Sequence, residues 1–364
     1  MNSHLFSEYK LGPVMLENRI VVSPMCQYMA EDGSANDWHL MHYGNMSIGA
    51  GGLIMFEATH VSSVGRITHK CLGLYSDQNE QALKRVVDFC KTHGRAKLGI
   101  QLAHSGRKGS AKTPMEGMSS LGKDDSPWET LAPSALPFAD GWHTPKAMQK
   151  EDLERVKQEF LSAAIRAVRL GFDVIELHAA HGYLLNQFLS PLSNHRTDEY
   201  GGTAENRMRF PLEILDALKQ TIPASVALGA RISGTDWVEG GISEDDMVEF
   251  TAALEARGCD FVDVTSGQLD PRQQIPFAPG FNLPFSKKVK SSAKIAAMGV
   301  GMITNPLQAE DAIATGAADL IAIARAAMDD PRWAWHAARD LDAPIEYAKN
   351  YQRCHPSVWQ RSRV

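Results

Sequence analysis

Short apolar segments alternate along the chain with longer segments of helical periodicity. The apolar segments are rich in β-branched residues and hydrophobic at nearly every position, a pattern typical of strands buried on both faces of a parallel sheet. They predict eight strands, at Arg19–Pro24, Leu53–Val61, Lys97–His104, Val174–His181, Val226–Ser233, Phe261–Gly267, Lys294–Gly301 and Asp319–Arg325.

Three of the intervening segments carry clear helix signals. Apolar residues recur every third or fourth position in Glu151–Leu170, and Ser243–Arg257 begins with a capping serine and an acidic first turn. Both segments and a third, Pro306–Thr315, end immediately before a glycine, which favours helix termination. Eight alternating strand and helix units predict an α/β protein with a (β/α)8 TIM barrel fold.

The alternative is a doubly wound open sheet, which is disfavoured because no predicted strand is followed by a G-x-G-x-x-G turn. We therefore expect one barrel domain over residues 1–364. Residues 107–150 are too long for an ordinary loop and predict an excursion over the barrel mouth after the third strand. The tail, residues 343–364, is rich in aromatic residues and arginine. Such a tail either anchors a partner subunit or packs on its own barrel.

Composition narrows the class of protein. The 364 residues include 37 Lys and Arg against 43 Asp and Glu, and this acidic balance argues against a nucleic-acid surface. No apolar stretch reaches the roughly 20 residues needed to span a membrane. The cysteines contain no C-x-x-C pair, so reduced thiols are expected, and the first residues lack a secretion signal pattern. These features predict a soluble, cytoplasmic enzyme.

The densest chemical cluster is His178-Ala-Ala-His181-Gly-Tyr183, at the predicted carboxyl end of the fourth strand. Functional groups of barrel enzymes project from these strand ends. Two imidazoles can donate hydrogen bonds to one developing oxyanion, and Tyr183 can supply a proton. Two histidines three residues apart also suit a metal ion. Against a metal site, there is no H-E-x-x-H motif, and Glu176 is expected to point away from the mouth.

Glycines and arginines form a second constellation at the ends of later strands. Gly299 and Gly301 follow the seventh strand and Ala324-Arg325 ends the eighth, a position where backbone N–H groups and an arginine often bind phosphate. Plain turn glycines beside a surface arginine are the alternative. Arg231 lies at a buried strand end and requires an anionic neighbour, either a carboxylate or a cofactor.

Several longer motifs stand in the same chain. They read SPMCQY at 23–28, EAT at 57–59, QLAHSGRK at 101–108, HAAHGYL at 178–184 and SPLSNHRTDEYGG at 190–202, with Asn206-Arg207 following. Together they resemble the old yellow enzyme family of FMN-dependent ene-reductases, in its xenobiotic reductase-like (thermophilic-like) class. The similarity extends from Leu5 to about residue 340.

The resemblance implies noncovalent FMN, NADPH or NADH as hydride donor, and reduction of the activated C=C bond of α,β-unsaturated carbonyl compounds by a ping-pong mechanism. It implies that His178 and His181 bind the substrate oxygen, that Tyr183 donates the proton, and that Tyr28 lines the substrate face. The implied flavin contacts are Ser23, Pro24, Met25, Cys26, Ala58, Gln101, Arg231, Gly301, Ala324 and Arg325.

Two features bear on this resemblance. The strand-eight motif of the family commonly reads Gly-Arg, so the methyl group of Ala324 would crowd the phosphate if the backbone there needs a positive φ. In this class a C-terminal Trp or Arg reaches into the neighbouring subunit's site. Trp359 is the best match, followed by Arg361 and Arg363, and a homodimer or homotetramer is expected.

Three other functions remain as alternatives. A flavin-free phosphate-sugar lyase or isomerase would use the same phosphate loops, but it would want a Lys or Glu base, and neither stands among the matched strand ends. A metal hydrolase would use His178 and His181. A non-catalytic binding barrel fits least well, because reactive residue types are concentrated at one end of the strands. The expected partner is a small enone-type molecule, and neither nucleic acid nor a membrane.

Overall fold

The computed structural model describes residues 3–49 and 51–359, and within them eight parallel strands form a closed barrel. Each strand pairs with the next in chain order, and the eighth pairs with the first. The prediction of a barrel is confirmed, and the open sheet is wrong. The strands are β1 (Ile20–Val22), β2 (Leu53–His60), β3 (Lys97–Ala103), β4 (Val174–Ala179), β5 (Ala227–Ser233), β6 (Phe261–Thr265), β7 (Ala296–Gly299) and β8 (Leu320–Ile323).

Helices surround this barrel in the described residues, and the three predicted helices are among them. Ser243 caps its helix as expected, because its side chain accepts a hydrogen bond from the Asp246 backbone N–H. The helices are α1 (Asp37–Gly49), α2 (Asp77–His93), α3 (Lys150–Leu170), α4 (Leu184–Leu189), α5 (Ala204–Thr221), α6 (Glu244–Ala256), α7 (Leu283–Ser292), α8 (Pro306–Ala314), α9 (Arg325–Asp329) and α10 (Trp333–Asp340). Within the described ranges, no helix is long and apolar enough to span a membrane.

The amino ends of the strands enclose an apolar layer. Val174, Ala227 and Phe261 are fully buried there, together with leucines of the N-terminal hairpin, whose strands are Tyr9–Leu11 and Val14–Leu16. Gly229 makes room for the Phe261 ring, since a Cβ at this glycine would lie 2.3 Å from ring carbons. The hairpin therefore closes this end of the barrel with hydrophobic side chains.

The long segment after β3 lies across the opposite end, the barrel mouth. It contains three short 3₁₀ turns and pairs Leu131–Ala132 with Lys146–Ala147. Arg107 Nη2 donates to the Leu269 carbonyl at 3.0 Å, which ties the segment to the loop after β6. This contact joins the segment to a loop at the carboxyl end of the strands.

The described part of the tail packs on its own chain. The Tyr347 ring stacks on Trp335 of α10 with a centroid separation of 3.9 Å. Tail residues line a cavity of about 1090 Å³ together with Glu17 and Arg95, which precede β1 and β3. The tail thus lies at the amino end of the barrel. The Trp359 side chain is 51% exposed, and the predicted residues Arg361 and Arg363 lie outside the described residues.

Candidate active site

The carboxyl end of β4 carries the central imidazole of the mouth. His178 is buried, and its Nδ1 accepts a hydrogen bond from the Ala180 backbone N–H at 3.4 Å. Burial first, and His181 second, lower the pKa of His178 well below its usual value. A neutral imidazole whose Nδ1 accepts must carry its proton on Nε2. His178 therefore presents an N–H donor at Nε2.

The turn after β4 brings the other two members of the cluster alongside. The rings of His178 and His181 have centroids 5.3 Å apart, and those of His178 and Tyr183 have centroids 4.8 Å apart. His181 Nε2 lies 2.9 Å from Thr265 Oγ1, which orients its ring. Burial raises the pKa of Tyr183 well above its usual value, so the phenol keeps its proton. His178, His181 and Tyr183, which the sequence predicts as one cluster, therefore lie together and are called the triad below.

The loop after β1 faces this triad across an apolar wall. Cys26 and Tyr28 pack with Tyr183 and Trp142 against a small buried cluster that contains Cys71. Burial, and secondarily Cys71, raise the pKa of Cys26 well above its usual value. Because the thiolate is the nucleophilic form of cysteine, a protonated Cys26 is poorly suited to covalent catalysis.

A bulge in β2 supports that loop from below. The pairing of β2 with β3 shifts between Phe56 and Ala58, which makes Glu57 the extra residue. Glu57 Oε2 accepts the Gln27 backbone N–H at 3.0 Å, and Oε1 accepts the Tyr43 hydroxyl at 3.1 Å. Burial raises the pKa of Glu57 to about 7. Glu57 therefore anchors the Cys26–Tyr28 loop, a role that the sequence analysis did not assign.

Polar side chains fill the barrel interior beneath the triad. Arg231 Nε lies 3.2 Å from Asp263 Oδ2, so the anionic neighbour required by this arginine is a carboxylate. Gln101 Nε2 donates to Glu176 Oε1 at 2.7 Å. Glu176 thus points into the barrel, and the prediction that it points away is wrong. Side chains alternate along a strand, so Glu176 and His178 share a face.

Lys108 is the mouth residue that sequence reasoning missed. Its Nζ donates to the carbonyls of His181 at 2.9 Å and Gln268 at 2.8 Å, and it lies 5.1 Å from the ring centroid of Tyr183. Burial, with Arg107 second, lowers its pKa to about 7. Lys108 therefore reaches the mouth from the loop after β3, although no lysine stands among the matched strand ends. The signal was present in the QLAHSGRK motif, but Lys108 lies five residues beyond the end of β3.

The predicted phosphate residues meet at two adjacent strand ends. Gly299 of β7 pairs in register with Ile321 of β8, which places Gly301 near the end of β8. Gly301 has a φ of 124°, whereas Ala324 has a φ of −111°. A negative φ accommodates alanine, so the backbone gives no reason for its methyl group to be crowded. Arg325 is exposed, and no described carboxylate pairs with it.

The remaining predicted cofactor residues follow β1, while the predicted tail residue lies elsewhere. Ser23 is buried, and its Oγ makes no hydrogen bond with any described residue. Pro24 and Met25 are half-buried beside it. Trp359 follows tail residues that lie at the amino end of the barrel, so the structure does not bring it to this chain's mouth.

Left-handed backbone is concentrated on the mouth loops. Tyr28, His181, Trp237, Gln268 and Met302 all have φ between 52° and 70°, and they follow β1, β4, β5, β6 and β7, respectively. Such conformations cost of order 1–3 kcal/mol each in non-glycine residues and cluster at functional sites. The mouth is therefore the end of the barrel where backbone strain is stored.

Among residues 3–49 and 51–359, no group of three or more His, Cys, Asp or Glu is arranged to hold a metal ion. His178 and His181 instead converge beside a phenol and a buried ammonium group. This arrangement suits two N–H donors, and a nearby proton donor, acting on one substrate.

The chain is similar to known proteins of one family along most of its length. A model described as NADH:flavin oxidoreductase / NADH oxidase family matches residues 4–343. The NADPH dehydrogenase of Geobacillus sp. (strain WCH70) is 42% identical over 355 residues, covering 97% of this chain and 99% of that protein. The NADPH dehydrogenase of Listeria innocua serovar 6a is 43% identical over 353 residues, covering 96% and 99%.

Solved structures show the same architecture. Morphinone reductase is 26% identical, with a TM-score of 0.76 over 95% of this chain and 91% of that one. A 2-naphthoyl-CoA reductase in complex with 2-naphthoyl-CoA has a TM-score of 0.83 at 23% identity. The match covers 94% of this chain but only 52% of that one, so it is a likeness of fold.

Proposed function

The chain belongs to the NADH:flavin oxidoreductase / NADH oxidase family, as a member of the old yellow enzyme family, and on that premise we propose that it is an ene-reductase. It is an NAD(P)H-dependent flavin oxidoreductase with FMN as cofactor. The proposed second substrate is an α,β-unsaturated carbonyl compound or a related electrophilic xenobiotic. The observation that carries this proposal is the convergence of His178, His181 and Tyr183 at the mouth.

The residues at the mouth fit FMN. Ser23 Oγ is buried without a partner, and Arg325 is exposed beside Gly301 without a described carboxylate. An unpartnered hydroxyl suits the polar edge of the flavin ring, and an exposed arginine near a glycine turn suits the phosphate. We assign the ring to Ser23, Pro24, Met25, Cys26, Ala58, Gln101 and Arg231, and the phosphate to Gly301, Ala324 and Arg325.

When bound, FMN would supply the hydride-transfer chemistry that links NAD(P)H to the second substrate. Arg231 would supply positive charge that stabilises the reduced ring. Cys26, whose pKa is raised by burial, would lie against the ring as a neutral thiol and tune it. We assign the same pocket to both substrates in turn, so ping-pong kinetics are expected.

The substrate carbonyl is assigned to the two imidazoles. His178 donates from Nε2, and His181 lies beside it with its ring held by Thr265. Their hydrogen bonds withdraw electron density from the β-carbon, which favours hydride delivery there. Tyr183 protonates the α-carbon, and Lys108, 5.1 Å from its ring centroid, stabilises the phenolate that forms. Tyr28 lines the opposite wall.

The proposal extends to assembly and location. We propose a cytoplasmic homodimer or homotetramer in which Trp359 of one subunit approaches the mouth of another. Its support is that the Trp359 backbone N–H donates to the carbonyl of His355, which lines the cavity at the amino end of its own barrel, and that Trp359 is half-exposed. Tryptophan is enriched in the contact surfaces between subunits.

The test is optical. Purified protein is expected to be yellow, to bleach on addition of NADPH, and to recover its colour with 2-cyclohexenone but not with saturated cyclohexanone. Tyr183→Phe should remain yellow and bleach normally, while its recovery with the enone slows. A folded protein that takes up no added FMN, or one that recovers equally with the saturated ketone, would contradict the proposal.

A further inference from the structure

A layer of four polar side chains crosses the barrel interior beneath the triad of His178, His181 and Tyr183. All four are buried, and each comes from a different, successive strand. The layer consists of Gln101 from β3, Glu176 from β4, Arg231 from β5 and Asp263 from β6. Two of its members, Gln101 and Arg231, are those assigned to the flavin ring above.

The charges of this layer do not balance if both carboxyl groups are ionised. Arg231 is paired with Asp263, with 3.2 Å between Nε and Oδ2. Glu176 has a neutral partner, Gln101, and its Oε2 makes no hydrogen bond with any described residue. An unpaired buried carboxylate is strongly unfavourable, so such a group binds a proton instead. Glu176 is the member of the layer that does so.

The surroundings of Glu176 support this assignment. Burial, followed by the negative charge of Asp263, raises its pKa to about 8, and Arg231 opposes the shift. The groups that face it are Gln101 from β3, His178 from its own strand, Arg231 from β5, and Asp263 and the preceding thiol Cys259 from the β6 side. His178 and Cys259 are neutral near pH 7, because burial lowers the pKa of the former and raises that of the latter to about 12.

We propose that Glu176 is a positioning residue that holds a proton beneath the flavin and thereby sets how the flavin potential depends on pH. Its contact is with Gln101, whose Nε2 donates to it at 2.7 Å. This bond orients the amide so that Gln101 Oε1 remains available as an acceptor toward the ring. The inference rests on the proposed placement of FMN over Gln101 and Arg231.

The proton balance gives the expected behaviour. Two-electron reduction of FMN with uptake of one proton adds one negative charge above the layer. That charge raises the pKa of Glu176 further, so at pH values between its pKa in the oxidised and reduced states a second proton moves from solvent to Glu176. The flavin reduction potential should therefore change with pH as expected for one proton per two electrons below this window. Within the window it should change as expected for two protons, and above it again as for one.

The experiment compares Glu176→Gln with wild type by equilibrium redox titration of the FMN-loaded protein at pH values below, within and above this window. The variant keeps an acceptor for Gln101 but cannot titrate, so the steeper window should disappear. Glu159→Gln is the matched control, because Glu159 is a half-buried carboxyl on α3 whose pKa burial also raises. Its profile should equal that of wild type. A steep window that persists in Glu176→Gln, or is absent from wild type, would overturn the proposal.

Thermal unfolding of the apo-protein supplies a readout that does not depend on flavin. An acid whose pKa is raised from 4.5 to about 8 on folding makes stability fall as pH rises between these values. The Tm of wild type should fall across that range by more than the Tm of Glu176→Gln. Equal falls would overturn the protonation of Glu176. If the apo-protein behaves as expected but takes up no FMN, the proposed function is at fault and the redox role falls with it.

Discussion

The two ends of the barrel interior differ in chemistry although the same strands build both. On β4, Val174 lies in the apolar layer at the amino end and His178 at the mouth, and on β6 Phe261 and Thr265 are divided in the same way. The amino end is closed by a hairpin and consists of well-packed hydrophobic groups. The mouth contains unpaired polar atoms and left-handed backbone.

Stability and chemistry are therefore separated along each strand. Burial of apolar groups stabilises the closed end, by about 25 cal/mol per Å² of area removed from water. Strained loops and unpartnered polar groups at the mouth are tolerated because the packed end holds the strands in place. Substitutions at the two ends should therefore move different observables.

The largest effect is expected at the closed end. Phe261→Ala removes a fully buried ring and leaves a cavity, which should lower the free energy of unfolding by about 3–5 kcal/mol. FMN affinity and the enone rate of the folded protein should change little, because the ring lies below the polar layer. Urea unfolding followed by circular dichroism measures the free energy of unfolding, and flavin fluorescence measures FMN affinity.

Phe277→Ala is the matched control, since that ring is 65% exposed and its loss should cost far less. If Phe261→Ala slowed the enone reaction as strongly as it destabilised the fold, the two ends would be coupled and the comparison would fail.

The next effect is expected at the mouth. His181→Ala removes one proposed oxyanion donor, which should slow reoxidation by 2-cyclohexenone on the order of 10²–10³-fold, or about 3–4 kcal/mol. The maximal rate of bleaching by NADPH should stay within roughly tenfold of wild type, because no substrate oxygen gains charge in that step. Stopped-flow absorbance resolves the two half-reactions.

Stability provides the internal control for this variant, because His181 is only partly buried and its removal should shift the urea midpoint far less than Phe261→Ala does. Equal slowing of both half-reactions, or restoration of activity by added zinc, would show that the imidazoles have another role.

The smallest effect is expected from the tail. Deleting residues 356–364 should raise the KM for the enone by at most about tenfold, equivalent to about 1.4 kcal/mol, and leave FMN bound. The reason is that the proposed contact comes from one exposed side chain of a neighbouring subunit. Steady-state kinetics of the deletion and of Trp359→Ala measure it, and sedimentation reports the assembly. Unchanged kinetics in both variants would show that the tail does not contribute to the site.

Most of the architecture was predictable from sequence, because the eight strands are buried on both faces and hydrophobic at most positions. Leu53–His60 and Phe261–Thr265 begin where the pattern predicts, and only their carboxyl ends are shorter. The triad was also predictable, since His178, His181 and Tyr183 lie within six residues of one another. Local spacing alone places them at one strand end and the turn that follows it.

The residues that were missed depend on contacts between distant segments. Lys108 reaches the mouth only because its Nζ bridges loops 73 and 160 residues away in sequence. Asp263 could not be predicted as the partner of Arg231, because the two residues are brought together only by the register in which β5 pairs with β6.

The order of strands and helices, the barrel class and the local cluster at the end of β4 can be read from the sequence, because they follow from hydrophobic periodicity and short-range spacing. Which polar groups share an environment depends on the folded barrel. Closure of the barrel places Gln101, Glu176, Arg231 and Asp263 in one layer, where the low polarity of the interior turns their mutual distances into large electrostatic interactions. Proton affinity is set by that shared environment, and no single strand contains it.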